Sequence, residues 1–352
     1  MNRGGAETMV MNHYRALDRT KVQFDFLVHR QDKGAYDDEI ESLGGRIFRA
    51  PAIRPWTYLS YFRWLNTFFK GHISEFKAVH GHIQENSGFA LYFAKKYGIE
   101  KRIASSHIAN LGIDFKYIFR QFGKLWTWHN ANVRLACGEE AGKFLYGHRD
   151  FKVLKNAIPT QKYLFNPHIR FETRQELGLN DNQIIIGSVA RLCPQKNHKF
   201  ILDTFRHFFN LNPNSTLLLV GEGPLSAELQ MYAQNLNIAN HVRFLGARSD
   251  INRLLQAFDV FFMPSLFEGL PVSVIEAQAA GLQCVLSDTI DSTTNITGNV
   301  HFISLDSPAE VWVSELEKAS QQPRTDTLNH IVDSGYDVRD NIRKLFSMYG
   351  LT

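Results

Sequence analysis

The chain has 352 residues, is 44% hydrophobic and carries a formal net charge of +4. That length exceeds the usual single core and the apolar content suffices for two, while no apolar stretch approaches the roughly 18 residues of a membrane span. Arg3, Glu7 and His13 interrupt any signal-peptide run, and three scattered cysteines, Cys137, Cys193 and Cys284, argue against a disulfide framework or a zinc site and for a reducing cytoplasm.

From the N-terminus, Gly4-Gly5-Ala6-Glu7 opens a helix. Strands are expected near 22–29, 78–83, 102–108 and 133–138, alternating with helical segments near Asp37, Ser87, Phe115 and Glu140, which is an α/β layer pattern. Between the first two of these strands, 54–70 concentrates Trp56, Tyr58, Tyr61, Phe62, Trp64, Phe68 and Phe69 among Arg54, Arg63 and Lys70. Basic residues mixed with Trp and Tyr suit a membrane interface; the competing reading is a helix that packs its aromatic face on the sheet. His80 and His82 alternate on a strand as a metal pair would, but no third ligand has convincing spacing. His107 follows Ile103-Ala104-Ser105-Ser106 at a strand end. Residues 1–155 hold 24 Lys/Arg and 15 Asp/Glu, the remainder 15 and 20, so the first half is the basic one and suits an anionic leaflet or a lipid diphosphate. Nucleic acid is the other reading of such charge, and no recognition motif supports it.

After Lys155-Asn156-Ala157-Ile158-Pro159 the pattern restarts, with strands at Ile184, Leu217, Val242, Val260, Cys284 and Val300 and a break near 156–166. The segment Ser188 to Asn197 reads as strand, basic loop, helix, which places Arg191 and Lys196 at the carboxyl end of a strand. Ligands bind at that edge in open α/β sheets, and an Arg fork with a Lys point charge suits a diphosphate. Downstream, Phe267-Glu268-Gly269-Leu270-Pro271-Val272-Ser273-Val274-Ile275-Glu276 sets two carboxylates eight positions apart across a helix N-terminus. One lies in a Gly/Pro loop with free N–H groups, the other inside the helix. A sugar nucleotide fits this layout, with hydroxyls for the carboxylates and phosphates for the helix N-terminus. The last segment, 337–349, reads as an amphipathic helix.

Arg191 with Lys196, Leu217 to Gly221 leading into Glu222-Gly223-Pro224, Val242-Arg243-Phe244-Leu245-Gly246, then Pro264-Ser265 ahead of Glu268 and Glu276, occur in the order that resembles family 4 retaining glycosyltransferases, and most closely the bacterial capsular and exopolysaccharide enzymes. The resemblance implies the GT-B fold, two Rossmann-like domains facing across a cleft. The N-terminal, acceptor-side domain is expected over 1–155, joined by a returning helix at 337–352, and the nucleotide-sugar domain over 156–336. It implies retaining transfer of a hexose, by family frequency from a UDP-sugar, to a saccharide or polyprenyl-diphosphate-linked acceptor, with no metal or other cofactor. Arg191 and Lys196 would hold the donor diphosphate together with backbone N–H groups near Gly269 and Leu270. Glu268 would touch sugar hydroxyls, Glu276 the ribose, His107 the donor sugar or acceptor, and Gly4 and Gly5 would let the backbone approach the phosphates. The implied setting is cytoplasmic, with peripheral contact at the inner face of an anionic membrane.

In that fold a first β-strand precedes the Gly4-Gly5 loop, and only Met1-Asn2-Arg3 stand there, so the N-terminal sheet is expected to lack its first strand. A natural product beginning about ten residues earlier, or a genuine truncation, would account for that. Two alternatives share the motifs: a sugar-nucleotide epimerase or hydrolase using the same donor site without an acceptor, and an inactive partner subunit. A dehydrogenase fits less well, because Gly221-Glu222-Gly223-Pro224 lacks the third glycine of the dinucleotide fingerprint.

Overall fold

A computed structural model of the protein describes residues 1–2, 4–108 and 117–351. The chain divides into two compact units, Met1–Ala157 with Asp337–Thr352, and Ile158–Tyr336.

The first unit runs α1 (Gly5–Ala16), β1 (Phe26–Val28), α2 (Asp37–Ser42), β2 (Ile47–Arg49), α3 (Tyr58–Gly71), β3 (Ala78–Gly81), α4 (Ser87–Lys96), β4 (Lys101–Ser106), α5 (Tyr117–Asn130), β5 (Val133–Ala136), α6 (Glu139–Tyr146) and β6 (Lys152–Val153). Its parallel strands form two separate sheets, β1-β2 and β3-β4-β5-β6. A doubly wound order would set one further strand between β1 and β3, and the described residues supply none there. The expected strand over 22–29 is therefore short: it pairs on one side only, with Ile47, Phe48 and Arg49 of β2. The segments β2 and β6, of three and two residues, are below the length at which alternation can be read from sequence. The helical segment expected near Phe115 falls outside the described residues, and α5 begins at Tyr117.

Close packing of α4 on α5 depends on Gly88. A Cβ there would collide with the backbone of Thr127, whose Oγ1 accepts from the Gly88 N–H at 2.9 Å and donates to the Glu85 carbonyl at 2.8 Å.

The second unit runs α7 (Pro167–Glu176), β7 (Ile184–Val189), α8 (His198–Leu211), β8 (Ser215–Val220), α9 (Ser226–Asn235), β9 (Val242–Phe244), α10 (Ile251–Ala257), β10 (Val260–Met263), α11 (Val272–Ala279), β11 (Gln283–Ser287), β12 (Val300–Ile303), α12 (Ala309–Ser320) and α13 (Leu328–Asp333). One six-stranded parallel sheet has the order β12-β11-β10-β7-β8-β9. Every residue of β8 and β10 is buried, as expected for parallel strands covered on both faces. Ile201, Leu202, Phe205 and Phe208 of α8, at helical spacing, pack into the core on one side of the sheet, and Val274, Ile275 and Ala277 of α11 belong to the core on the other. The strand order reverses at β7, which lies between β10 and β8 and so brings the loops after β7 and β10 side by side.

The chain then returns to the first unit with α14 (Val338–Tyr349). Asp337 caps it by accepting from the Arg339 N–H at 2.9 Å, Gly350 ends it in the left-handed region at φ 72°, and its buried Val338, Ile342, Leu345 and Tyr349 recur at the amphipathic period.

Candidate functional site

In the second unit the β7–α8 loop carries Arg191 and Lys196. Arg191 is exposed. The loop is pinned to the strand beside it: the Leu192 N–H donates to the Glu222 carbonyl at 3.0 Å, and a Cβ on Gly223 would strike the Leu192 backbone. Pro194–Lys196 makes a single 3-10 turn, and Asn197 takes left-handed φ 55° before α8 begins. Asn tolerates that region better than most residues. Here its side-chain amide also donates to the Pro264 carbonyl at 3.2 Å, and the Leu266 N–H donates to the Gln195 carbonyl at 2.8 Å.

That stitching sets Lys196 against Glu268. The Lys196 Nζ lies 2.6 Å from Glu268 Oε1, with the two side chains only 16% and 12% exposed, and Gln195 Nε2 donates to the same oxygen at 2.8 Å. A pair so shielded from water retains much of its attraction. Gln195 and Asn197 give no chemical signal in the sequence; only the loop-to-loop contact reveals them.

After Gly269-Leu270-Pro271 the helix α11 opens with no side-chain cap on its N-terminus, and a Cβ on Gly269 would meet nothing within 4 Å. The first N–H groups of a helix have no intrahelical acceptor and suit an anion. Glu276 lies in the middle of α11, 8% exposed, and accepts from the Tyr163 hydroxyl at 2.7 Å. Burial pushes its carboxyl up to about 7, against a smaller opposing effect of the Tyr163 hydrogen bond. Tyr163 stands 113 positions away in sequence, outside any periodic segment, and was not expected.

In the first unit, Gly4 is the extended residue that precedes α1, with φ −158°, and Gly5 begins the helix. A Cβ on Gly5 would meet nothing within 4 Å, and one on Gly4 only the flexible end of Glu7. The packing of the unit therefore does not demand glycine at either position.

His107 stands just past β4, with Nε2 3.1 Å from Nδ1 of His82 and its rings nearly parallel to that neighbour. The His80 ring lies 3.9 Å from that of His82 and is fixed at both nitrogens, by the Tyr349 hydroxyl at 2.8 Å and the Ser105 hydroxyl at 2.7 Å. With His13 these side chains line a cavity of about 20 Å³, room for about one water. Burial holds His13 and His107 down to about 4 and His80 to about 3, and lowers His82 well below the usual range. All four are therefore neutral at pH 7, and each opposes protonation of its neighbours. Among the described residues, no three His, Cys, Asp or Glu side chains are grouped so as to hold a metal ion; His80 and His82 meet ring to ring, and the hydrogen bond of His82 goes to His107.

The hydrogen bond between His82 Nδ1 and His107 Nε2 couples the tautomers of the two rings, because one of these nitrogens must carry the proton and the other accept it. His82→Ala should open the site to water and let His107 titrate closer to its ordinary range, around 6.5. The acid limb of a kcat/KM profile is then expected to move up by a pH unit or more, with activity at pH 8 kept within about tenfold. An unmoved limb would show that His107 has no titrating role.

The family described as Glycosyl transferases group 1 matches residues 169–335. The chain is 37% identical to a Bacillus subtilis (strain 168) protein named glycosyltransferase EpsF, over 100% of this chain and 94% of that one. It is also 37% identical to the Escherichia coli UDP-Gal:alpha-D-GlcNAc-diphosphoundecaprenol alpha-1,3-galactosyltransferase, over 42% of this chain and 37% of the other. Among solved structures, Anabaena HepE in complex with UDP is similar with a TM-score of 0.79 at 17% identity, covering 99% of this chain and 97% of that one. At that identity the likeness concerns fold, and the α/β, two-unit GT-B architecture is the fold of this chain.

Proposed function

The chain belongs to the group 1 glycosyl transferases, and from that membership and the site in its second unit we propose that it moves a hexose from a UDP-sugar to a lipid-linked or growing saccharide acceptor, with retention at the anomeric carbon, in exopolysaccharide or capsule synthesis. The observation that carries the reading is the paired set at the edge of the six-stranded sheet: Lys196 on Glu268, beside an uncapped helix N-terminus.

In this reading the leaving group is a nucleoside diphosphate, so the barrier falls by stabilising charge that develops on the β-phosphate as the glycosidic bond breaks. Arg191, Lys196 and the N–H groups near Gly269 and Leu270 supply that stabilisation with no divalent ion. Glu268 orients the sugar hydroxyls, and the buried carboxylate of Glu276 takes the ribose. The neutral His107 is assigned to the donor sugar or the acceptor hydroxyl, and Gly4 and Gly5 to backbone approach to phosphate, which the open space at Gly5 supports. The UDP held by HepE and the UDP-Gal and diphosphoundecaprenol in the name of the Escherichia coli relative support the donor and acceptor classes. A lipid-linked acceptor calls for work at the cytoplasmic face of a membrane.

Calorimetry with UDP, GDP and ADP, with and without a magnesium chelator, tests the donor site. Micromolar UDP binding that survives chelation is expected; binding of none of the three would remove the transferase reading. Product analysis then separates transfer, which makes a new linkage of unchanged anomeric configuration, from epimerisation or hydrolysis.

A further inference from the structure

Among the described residues three non-glycine positions have a positive φ: Asn197, Asn237 and Gln84. Asparagine tolerates that region, and glutamine has no comparable preference for it. Gln84, at φ 53° and 8% exposed, opens the short 3-10 turn Gln84–Asn86 between β3 and α4. Both of its chain neighbours are tied: the Ile83 N–H donates to Ser87 Oγ at 3.2 Å, and the Glu85 carbonyl accepts from Thr127 of α5. A backbone held in an unfavoured region by its surroundings points to a task for the side chain it presents.

That side chain lies against the end of β4. Ser106 Oγ gives its single hydrogen to the Ala141 carbonyl at 2.6 Å, so toward Gln84, 3.1 Å away, it can only accept. The amide nitrogen of Gln84 therefore faces Ser106, and the amide oxygen faces the other way, where it accepts from the main-chain N–H of His107 at 3.0 Å and of Ile108 at 2.6 Å. The sheet gives His107 no such support, since β4 pairs with β3 as far as Ala104 and with β5 as far as Ser106. Two residues of one segment thus grip His107: His82 at its ring, with Nδ1 3.1 Å from Nε2, and Gln84 at its main chain.

We propose that Gln84 is a positioning residue: its amide fixes the main chain of His107 beyond the end of the sheet and, together with His82, aims the His107 imidazole at the reacting groups. The task requires both polar atoms of the amide and the full length of the side chain. One methylene fewer draws the oxygen away from the two N–H groups and leaves them without that acceptor. Such a grip matters for rate because a displacement of about 1 Å can cost on the order of 10²-fold. The effect on rate rests on the role proposed above for His107; the effect on the main chain does not.

Amide hydrogen exchange on the full chain, read by NMR beside kinetics, tests it. In Gln84→Asn, which accepts the left-handed turn but is too short to reach, the His107 and Ile108 amides are expected to exchange at least about tenfold faster than in the parent, while those of Ile103 and Ala104 keep their rates. Release of UDP from UDP-glucose or UDP-galactose, with a polyprenyl-diphosphate-linked saccharide as acceptor, is expected to lose about tenfold or more in kcat, with UDP affinity and melting temperature close to the parent's. Gln84→Glu keeps the length and accepts from both N–H groups, so slow exchange and most of the parent rate are expected there. Exchange at His107 and Ile108 that Gln84→Asn leaves unchanged overturns the proposal. So does faster exchange with a kcat within about twofold of the parent's. A lowered melting temperature in Gln84→Asn that Gln84→Glu shares, with kcat falling in step in both, would make Gln84 a support of the turn alone and overturn it as well. A parent that neither binds nor releases UDP removes the transferase reading, and faster exchange in Gln84→Asn would still support the grip on His107.

Discussion

Lys196→Ala is expected to lower kcat/KM by about 10²- to 10³-fold, the scale of removing one preorganised donor aimed at developing negative charge, with most of the loss in kcat. The structure adds a second consequence. In the free protein the Lys196 ammonium is neutralised by Glu268 at 2.6 Å, and a diphosphate must compete with that carboxylate for it. Removing the lysine leaves a 12%-exposed carboxylate with the Gln195 amide at 2.8 Å and no cation from Lys196. Loss of one partner of a shielded pair costs more than the pair contributes, so about 1–3 kcal/mol of stability should go with it. Glu268→Gln in the same chain should restore most of that stability, because the uncompensated charge is gone, and should not restore the rate. Denaturant midpoints and steady-state kinetics on the two single variants and the double variant form a cycle that separates the effects. A kcat/KM within twofold of the parent for Lys196→Ala would mean that the diphosphate is held elsewhere.

The second large effect concerns Glu276, whose carboxyl burial raises to about 7. A carboxylate that accepts from ribose hydroxyls is competent only when ionised, so nucleotide affinity should rise with pH through 7. Between pH 6 and pH 8 the competent fraction changes by roughly tenfold, and the apparent affinity with it. Stability runs the other way. The folded state holds this proton more tightly than the unfolded chain does, so the contribution is complete below the unfolded value near 4.5. It is lost as pH rises through about 7, and the difference amounts to roughly 3 kcal/mol. Glu276→Gln should flatten both curves, with weaker UDP binding at pH 8 and a higher melting temperature there than the parent. Calorimetry and thermal unfolding at three pH values read both. A parent protein whose UDP affinity does not change from pH 6 to pH 8 would remove the ribose role from Glu276.

The two effects differ in how far sequence could anticipate them. Arg191, Lys196 and Glu268 stand out because each lies in a loop that follows a buried strand, and Glu276 because it lies eight positions after Glu268 in the helix that the second loop opens; apolar runs such as Ile184 to Ile186 mark those strands plainly. The amphipathic spacing of Val338, Ile342, Leu345 and Tyr349 likewise made α14 visible, and burial of that stripe is what holds the last helix to the first unit. By contrast β2 and β6 left no pattern, since two or three residues do not make an alternation. The pairing of β1 with β2 alone shortened a strand that composition made look longer.

By itself the sequence determined which residues face a core, where strands give way to polar loops, and which charged side chains those loops carry, because each of these is written in local periodicity and composition. Only the tertiary structure decided who meets whom. The sheet order places β7 beside β10, and this alone brings Lys196 to Glu268, which stands 72 positions further along the chain. Burial inside α11 turned Glu276 from one more helix charge into a carboxyl that titrates near neutrality. The pairing of β3 with β4 joined His82 to His107 in a site that holds both uncharged. The physical reason is common to all three: strand order fixes distances between loops far apart in the chain, and depth in the fold fixes the cost of charge, and neither quantity is encoded in any short stretch of sequence.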